Sequence, residues 1–177
     1  NGITDWVYEE EFAFVRAYDW SADSKKLAYI RFDESQVPEF SMTIFQKELY
    51  PKMETFKYPK AGEKNSEVSL FVYDVNTGSS KEVNLGNYND FYIARMKWTN
   101  DANVLCAQVL NRHQDNLDLL FIDGTAATSK IVLNEKDKAY IDVTDNLTFL
   151  KDNSFIWTSE KDGFNHIYVY DKTGKLK

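Results

Sequence analysis

Two short patterns of polar and hydrophobic positions recur along the chain. In the first, an aromatic residue leads into a polar turn containing Asp, and a hydrophobic run follows. It occurs at Trp20-Ser21-Ala22-Asp23-Ser24-Lys25-Lys26-Leu27-Ala28-Tyr29, at Trp98-Thr99-Asn100-Asp101-Ala102-Asn103-Val104-Leu105, and at Phe149-Leu150-Lys151-Asp152-Asn153-Ser154-Phe155-Ile156-Trp157. Each predicts strand, tight turn, strand, because clustered Asp, Asn and Ser favour turns. In the second, a hydrophobic run stops at an aspartate: Leu70-Phe71-Val72-Tyr73-Asp74, Leu119-Leu120-Phe121-Ile122-Asp123 and Ile167-Tyr168-Val169-Tyr170-Asp171. Two of these continue to a turn at Thr77-Gly78 and Thr173-Gly174.

Spacing turns these patterns into an architecture. Asp74 and Asp123 are 49 residues apart, Asp123 and Asp171 are 48, and Trp98 and Phe149 are 51. A period near 50 with about four short strands per unit predicts β-propeller blades. The interval from Trp20 to Trp98 is 78. The first unit therefore carries an insertion, at roughly residues 33–67, which holds all three prolines, Pro38, Pro51 and Pro59. The alternative is an unrelated β-sandwich with regular turns. The 177 residues hold three to four blades of four-stranded antiparallel sheet, whereas closed propellers usually have four to eight. The expectation is an all-β partial propeller, an open arc cut from a longer protein. Its uncovered edges would favour homo-oligomers.

Composition narrows the function classes. Aromatic residues make up 15% of the chain, which favours strands. The net charge of −7 argues against a nucleic-acid partner. One cysteine, Cys106, excludes an internal disulfide and a cysteine-rich zinc site; inside its apolar run it reads as a core residue. No apolar run approaches the length of a membrane span, and no signal peptide is present. The glycines frame no G-x-S-x-G elbow, P-loop or G-x-G-x-x-G. The two histidines, His113 and His166, are 53 residues apart, so no metal or cofactor is expected. His166, in an alternating strand, reads as a structural hydrogen-bonding residue, and His113 as a solvated one.

One segment stands apart. Glu9-Glu10-Glu11 lies among Trp6, Val7, Tyr8, Phe12 and Phe14, with no Lys or Arg before Arg16. Carboxylates crowded among apolar groups repel one another and attract a cation. In a strand only Glu9 and Glu11 share a side. In a helical turn, consecutive residues differ by about 100°, so Glu10 and Glu11 could converge on one small group. A primary ammonium suits such a clamp, having three donors and no acceptor.

The run Asp5-Trp6-Val7-Tyr8-Glu9-Glu10-Glu11 resembles the N-terminal propeller region of the dipeptidyl peptidase IV family, within the prolyl oligopeptidase superfamily of serine peptidases. Later segments agree in order: Phe32-Asp33-Glu34-Ser35 with Val37-Pro38, Tyr58-Pro59-Lys60-Ala61-Gly62 with Asn65, Leu110-Asn111-Arg112 with Gln114, and Ser159-Glu160-Lys161-Asp162-Gly163-Phe164 with His166-Ile167-Tyr168. The resemblance implies an eight-bladed propeller over an α/β-hydrolase domain, and removal of N-terminal dipeptides with Pro or Ala second. It implies that Glu10 and Glu11 bind the substrate's free amino terminus, with Glu9, Trp6 and Tyr8 in support and Tyr140 as a pocket-lining aromatic. An upstream arginine would precede Asn1, and the Ser, Asp and His of the catalytic triad would follow Lys177. The implied partners are peptides with a free N-terminus and the hydrolase domain of the same parent. The single cysteine fits a bacterial member, periplasmic or secreted. The competing reading is a non-catalytic propeller from a parent without the nucleophile, or a stand-alone interaction module. An intact glutamate pair favours the enzyme.

Overall fold

The recurring aspartates close the turns. Asp74 Oδ1 accepts from the N–H groups of Asn76 (2.8 Å) and Thr77 (3.1 Å). Asp123 Oδ1 accepts from Thr125 and Ala126, each at 2.8 Å. Asp171 Oδ1 accepts from Thr173 (2.8 Å) and Lys175 (3.1 Å). The aspartates of the first pattern act alike: Asp23 on Lys25 N–H (3.2 Å), Asp101 on Asn103 (2.9 Å) and Asp152 on Ser154 (3.1 Å). Hydrogen bonds to the charged form hold the Asp23, Asp123, Asp152 and Asp171 carboxyls below the usual carboxylate range.

These turns join short strands in a computed structural model that describes all residues, 1–177. A single helix, α1 (Trp6–Phe12), precedes the strands. The first sheet contains β1 (Tyr18–Trp20) and β2 (Lys26–Asp33). The hairpin β3 (Glu39–Ile44) and β4 (Lys52–Lys57) then departs, and the chain returns through β5 (Glu67–Asp74) and β6 (Ser79–Glu82). The second sheet runs β7 (Phe91–Trp98), β8 (Val104–Asn111), β9 (Asn116–Asp123) and β10 (Thr128–Lys136). The third has β11 (Thr148–Phe149), β12 (Phe155–Ser159) and β13 (His166–Tyr170). Strand orders are β1-β2-β5-β6, β7-β8-β9-β10 reading from either edge, β11-β12-β13, and β3-β4 by itself. Pairing within the sheets is antiparallel throughout. No sheet closes into a barrel. The fold is thus an all-β arc of two complete blades and a third whose fourth strand is begun by the Tyr170–Leu176 bridge. Within residues 33–67, where an insertion is expected, the β3–β4 hairpin forms a two-stranded sheet of its own.

Burial shows why the strands read differently in sequence. β8 and β9 are buried along nearly their whole length, because neighbours cover both faces of the middle blade. Their sequences are therefore continuous apolar runs. β5 and β12 belong to the end blades and alternate buried with half-buried positions. Between the first and second blades, the Trp98 indole N–H donates to the Asp19 carbonyl at 3.0 Å. Between the second and third, the Phe121 ring lies 6.0 Å from Phe149 and 5.7 Å from Phe155. Cys106 is a buried core residue, and burial pushes its thiol well up.

His166 departs from expectation. It is exposed at the start of β13, and its ring lies 6.5 Å from that of Phe164. The reason is position: His166 shares the inward side of β13 with Tyr168 and Tyr170 but begins the strand, where that packing has run out, whereas Ile167 faces the other, uncovered side and is 74% exposed. His113 is exposed in the β8–β9 turn, as expected.

At one point a glycine lets the backbones of two blades come close together. Gly174 has φ +87°, and a Cβ there would sit 1.7 Å from the Val132 carbonyl oxygen. Val132 occupies the bulge in β10 between Ile131 and Leu133. Gly163 has a similar φ of +93°, but open space around it. Gly163→Ala should therefore lose about 1 kcal/mol from backbone strain alone. Gly174→Ala should lose at least about 2 kcal/mol, from strain plus a backbone clash. Unfolding in denaturant, compared between the two variants, checks the difference.

Candidate functional site

The acidic run is helical, and the residue before it starts the helix. Asp5 has extended backbone (φ −85°, ψ 179°), and its Oδ1 accepts from Tyr8 N–H at 3.0 Å, satisfying one of the donors a helix leaves free. Ala13, in the left-handed region at φ 55°, ends the helix. Tyr8 and Phe12 are four residues apart, so they share a side. Both are buried, while Glu9, Glu10 and Glu11 are exposed. At about 100° per residue, Glu10 points away from the buried side, with Glu9 and Glu11 flanking it.

Tyr8 anchors the inner side. Its ring meets Phe12, Phe14, Phe32 and Tyr92 edge-on, with centroids 4.8–6.0 Å away. Its hydroxyl accepts from Ile93 N–H of β7 at 2.9 Å. Burial pushes the phenol well above its ordinary value, so the anchor is neutral. At the start of the helix, Asp5 Oδ2 accepts from Ser66 Oγ, just before β5. At the side, the Trp6 ring packs 4.2 Å from Tyr58, which contacts Phe40 and Phe56 of the β3–β4 hairpin. Asn65 Nδ2 donates to the Tyr92 hydroxyl at 2.8 Å. The helix is thus clamped by the second blade, the first blade and the insertion.

The outer side has one partner. Gln114 Nε2, in the β8–β9 turn, donates to Glu11 Oε1 at 2.8 Å. Arg112 of the same turn is engaged elsewhere, with the Glu63 carbonyl (2.8 Å) and Asp90 Oδ1 (3.5 Å). None of the six ion pairs in the structure involves Glu9, Glu10 or Glu11. The Gln114 carbonyl accepts from Ile141 N–H at 2.7 Å, which brings the segment carrying Tyr140 alongside the turn. Tyr140 is 61% exposed and lines a small cavity with Glu135, Asp142, Thr144 and Ser159. No group of three or more His, Cys, Asp and Glu side chains is arranged to hold a metal ion.

Set against the sequence, Glu10 and Glu11 lie on a helical turn, and Trp6 and Tyr8 support it by packing. The aromatic surround differs. Tyr8 and Phe12 turn inward, so within this chain the carboxylates face solvent, and Trp6, 36% exposed, is the aromatic nearest the outer side. The Glu9 side chain contacts no partner; its N–H donates to the Asp5 carbonyl at 3.1 Å. Sequence reasoning missed Ser66 and Tyr92, which no motif marked. It also missed the capping role of Asp5, signalled by an Asp just ahead of a helical run. Gln114 stood in a recognised motif without a role.

Comparison with known proteins gives a consistent result. Residues 1–177 match the family described as the dipeptidyl peptidase IV N-terminal region. The chain is 33% identical over 189 residues to dipeptidyl aminopeptidase B of Saccharomyces cerevisiae, covering 98% of this chain and 23% of that protein. It is 30% identical to a putative dipeptidyl aminopeptidase of Schizosaccharomyces pombe, covering 99% and 24%. The crystal structure of Porphyromonas gingivalis dipeptidyl peptidase 4 superposes with a TM-score of 0.94 at 43% identity, covering 99% of this chain and 25% of that one. A putative dipeptidyl aminopeptidase IV from Bacteroides ovatus gives 0.81 at 25% identity, covering 92% and 23%. The chain spans about a quarter of the length of these relatives.

The anchor makes a direct prediction. Tyr8→Phe keeps the ring but leaves Ile93 N–H buried without a partner, and should destabilise the protein by about 1–3 kcal/mol. Tyr140→Phe, at an exposed site, should change stability by less than about 0.5 kcal/mol. Chemical denaturation of both variants tests this.

Proposed function

The chain belongs to the dipeptidyl peptidase IV N-terminal region family, and from that premise we propose that it is the substrate-recognition part of the propeller of a serine-type dipeptidyl aminopeptidase. Its parent removes Xaa-Pro and Xaa-Ala dipeptides from peptides with a free N-terminus. Glu10 and Glu11 hold the substrate's α-ammonium, and Tyr140 lines the pocket. The nucleophile and its Asp and His partners belong to an α/β-hydrolase domain of the same parent, which is periplasmic or secreted. The observation that carries this reading is the state of α1: its inner side is locked by Tyr8 and Asp5, while its outer carboxylates have no cationic partner.

The chemistry follows from charge and distance. An α-amino group has a pKa of about 7.7–8.0, so it is mostly protonated at neutral pH. Each carboxylate accepts one charge-assisted hydrogen bond from it. A fixed helix sets a fixed distance from anchor to nucleophile, so the enzyme measures two residues from the peptide's start. Docking of substrate and of the hydrolase domain removes water from the pair and strengthens the attraction.

Two tests follow, both on the intact parent. Release of a chromophore from Gly-Pro and Ala-Pro derivatives should fall about 30-fold or more in kcat/KM for Glu10→Ala or Glu11→Ala. An N-acetylated substrate should be cut poorly by every form. Variants within about threefold of wild type, or equal cleavage of the acetylated peptide, would remove the glutamates from this role. The second test concerns self-association. The hairpin tip exposes Phe45 (82%), Leu49 (89%) and Tyr50 (78%), which supports a homo-oligomer. Sedimentation should show a species larger than a monomer.

A further inference from the structure

Gln114 occupies a position whose backbone suits a different residue. Its φ is +59°, in the left-handed region that favours Gly, and Asn after it. The turn itself is closed by other atoms. Gln114 N–H donates to the Asn111 carbonyl (2.9 Å), and Asn111 Oδ1 accepts from Asp115 (3.1 Å) and Asn116 (3.0 Å). A glycine would serve that turn with less strain. What glycine cannot do is reach Glu11, which the Gln114 amide does at 2.8 Å. Strain kept at a residue whose side chain reaches a candidate binding group points to a use for that side chain.

The type of partner is informative. The turn also carries a cation, Arg112, and its guanidinium is occupied by the Glu63 carbonyl and Asp90. A guanidinium or ammonium placed on Glu11 would neutralise it. A neutral amide fixes one carboxylate oxygen and leaves the charge, and the second oxygen, for an incoming cation. The Gln114 backbone is held from both directions: its N–H donates to the Asn111 carbonyl, and its carbonyl accepts from Ile141 N–H at 2.7 Å. We infer that Gln114 is a positioning residue: it aims Glu11 at the substrate ammonium through a hydrogen bond that leaves the carboxylate charged. Through Ile141 the same turn also positions the segment bearing Tyr140, so both substrate-facing elements depend on one support. This inference rests on the ammonium-binding reading of Glu10 and Glu11.

The test uses the full-length enzyme and Gly-Pro chromogenic substrate. Gln114→Gly is the informative variant, because glycine suits the φ and keeps the turn folded. It should lower kcat/KM about tenfold, mainly through KM, without lowering the unfolding midpoint. Gln114→Lys should be worse than Gln114→Gly although it retains a donor, because its ammonium competes with the substrate's. In a Glu11→Ala background, Gln114→Gly should have no further effect. If Glu11→Ala alone leaves kcat/KM near wild type, the ammonium reading fails and this inference with it. If Glu11→Ala is severe while Gln114→Gly is silent, or costs the same in both backgrounds, the reading stands and Gln114 has no positioning role. Lysine matching or exceeding glycine in activity also overturns the inference.

Discussion

One buried hydrogen bond, from Ile93 N–H to the Tyr8 hydroxyl, ties the candidate site to the propeller. A seven-residue helix is too short to be stable by itself in water. It persists here because one side chain carries it into the core: the Tyr8 ring fills space between Phe12, Phe14, Phe32 and Tyr92, and its oxygen satisfies a strand amide. Burial and polar satisfaction thus coincide in one residue. Asp5 adds a second fixed point by capping the helix and bonding Ser66. The carboxylates gain their direction from these inner contacts, since nothing on their own side except Gln114 holds them.

The same economy governs the blades. Each aspartate at a strand end supplies a turn with acceptors that the backbone lacks, so one residue type repeated at a spacing near 50 builds successive units. Between the units the contacts are unlike one another: an indole on a carbonyl, a cluster of phenyl rings, a glycine on a bulge. Local rules make the blade, and individual side chains make the joint.

That division explains what could be read from the chain beforehand. The all-β fold and its turns were legible, because they depend on residues close in sequence. The helical form of the acidic run was one of two readings left open by geometry, and the family resemblance favoured it. The inward orientation of Tyr8 and Phe12 follows from their four-residue spacing, yet chain order alone suggested that they surround the glutamates. His166 was misread for a related reason: alternation puts it on the inward side with Tyr168 and Tyr170, but it begins the strand, beyond the reach of the packing that buries Tyr170. Ser66 and Gln114 were beyond reach, because their partners lie 61 and 103 residues away and no periodicity records such meetings.

The contact of Gly174 with Val132 has a consequence for the larger architecture. Two backbones touching with no side chain between them have no slack, so the rotation from one blade to the next is fixed there with little tolerance. In a ring, a small angular error at each step accumulates, and the last unit then misses the first. A residue without a side chain can in this way act as a gauge of pitch, and its influence would be felt farthest from where it sits.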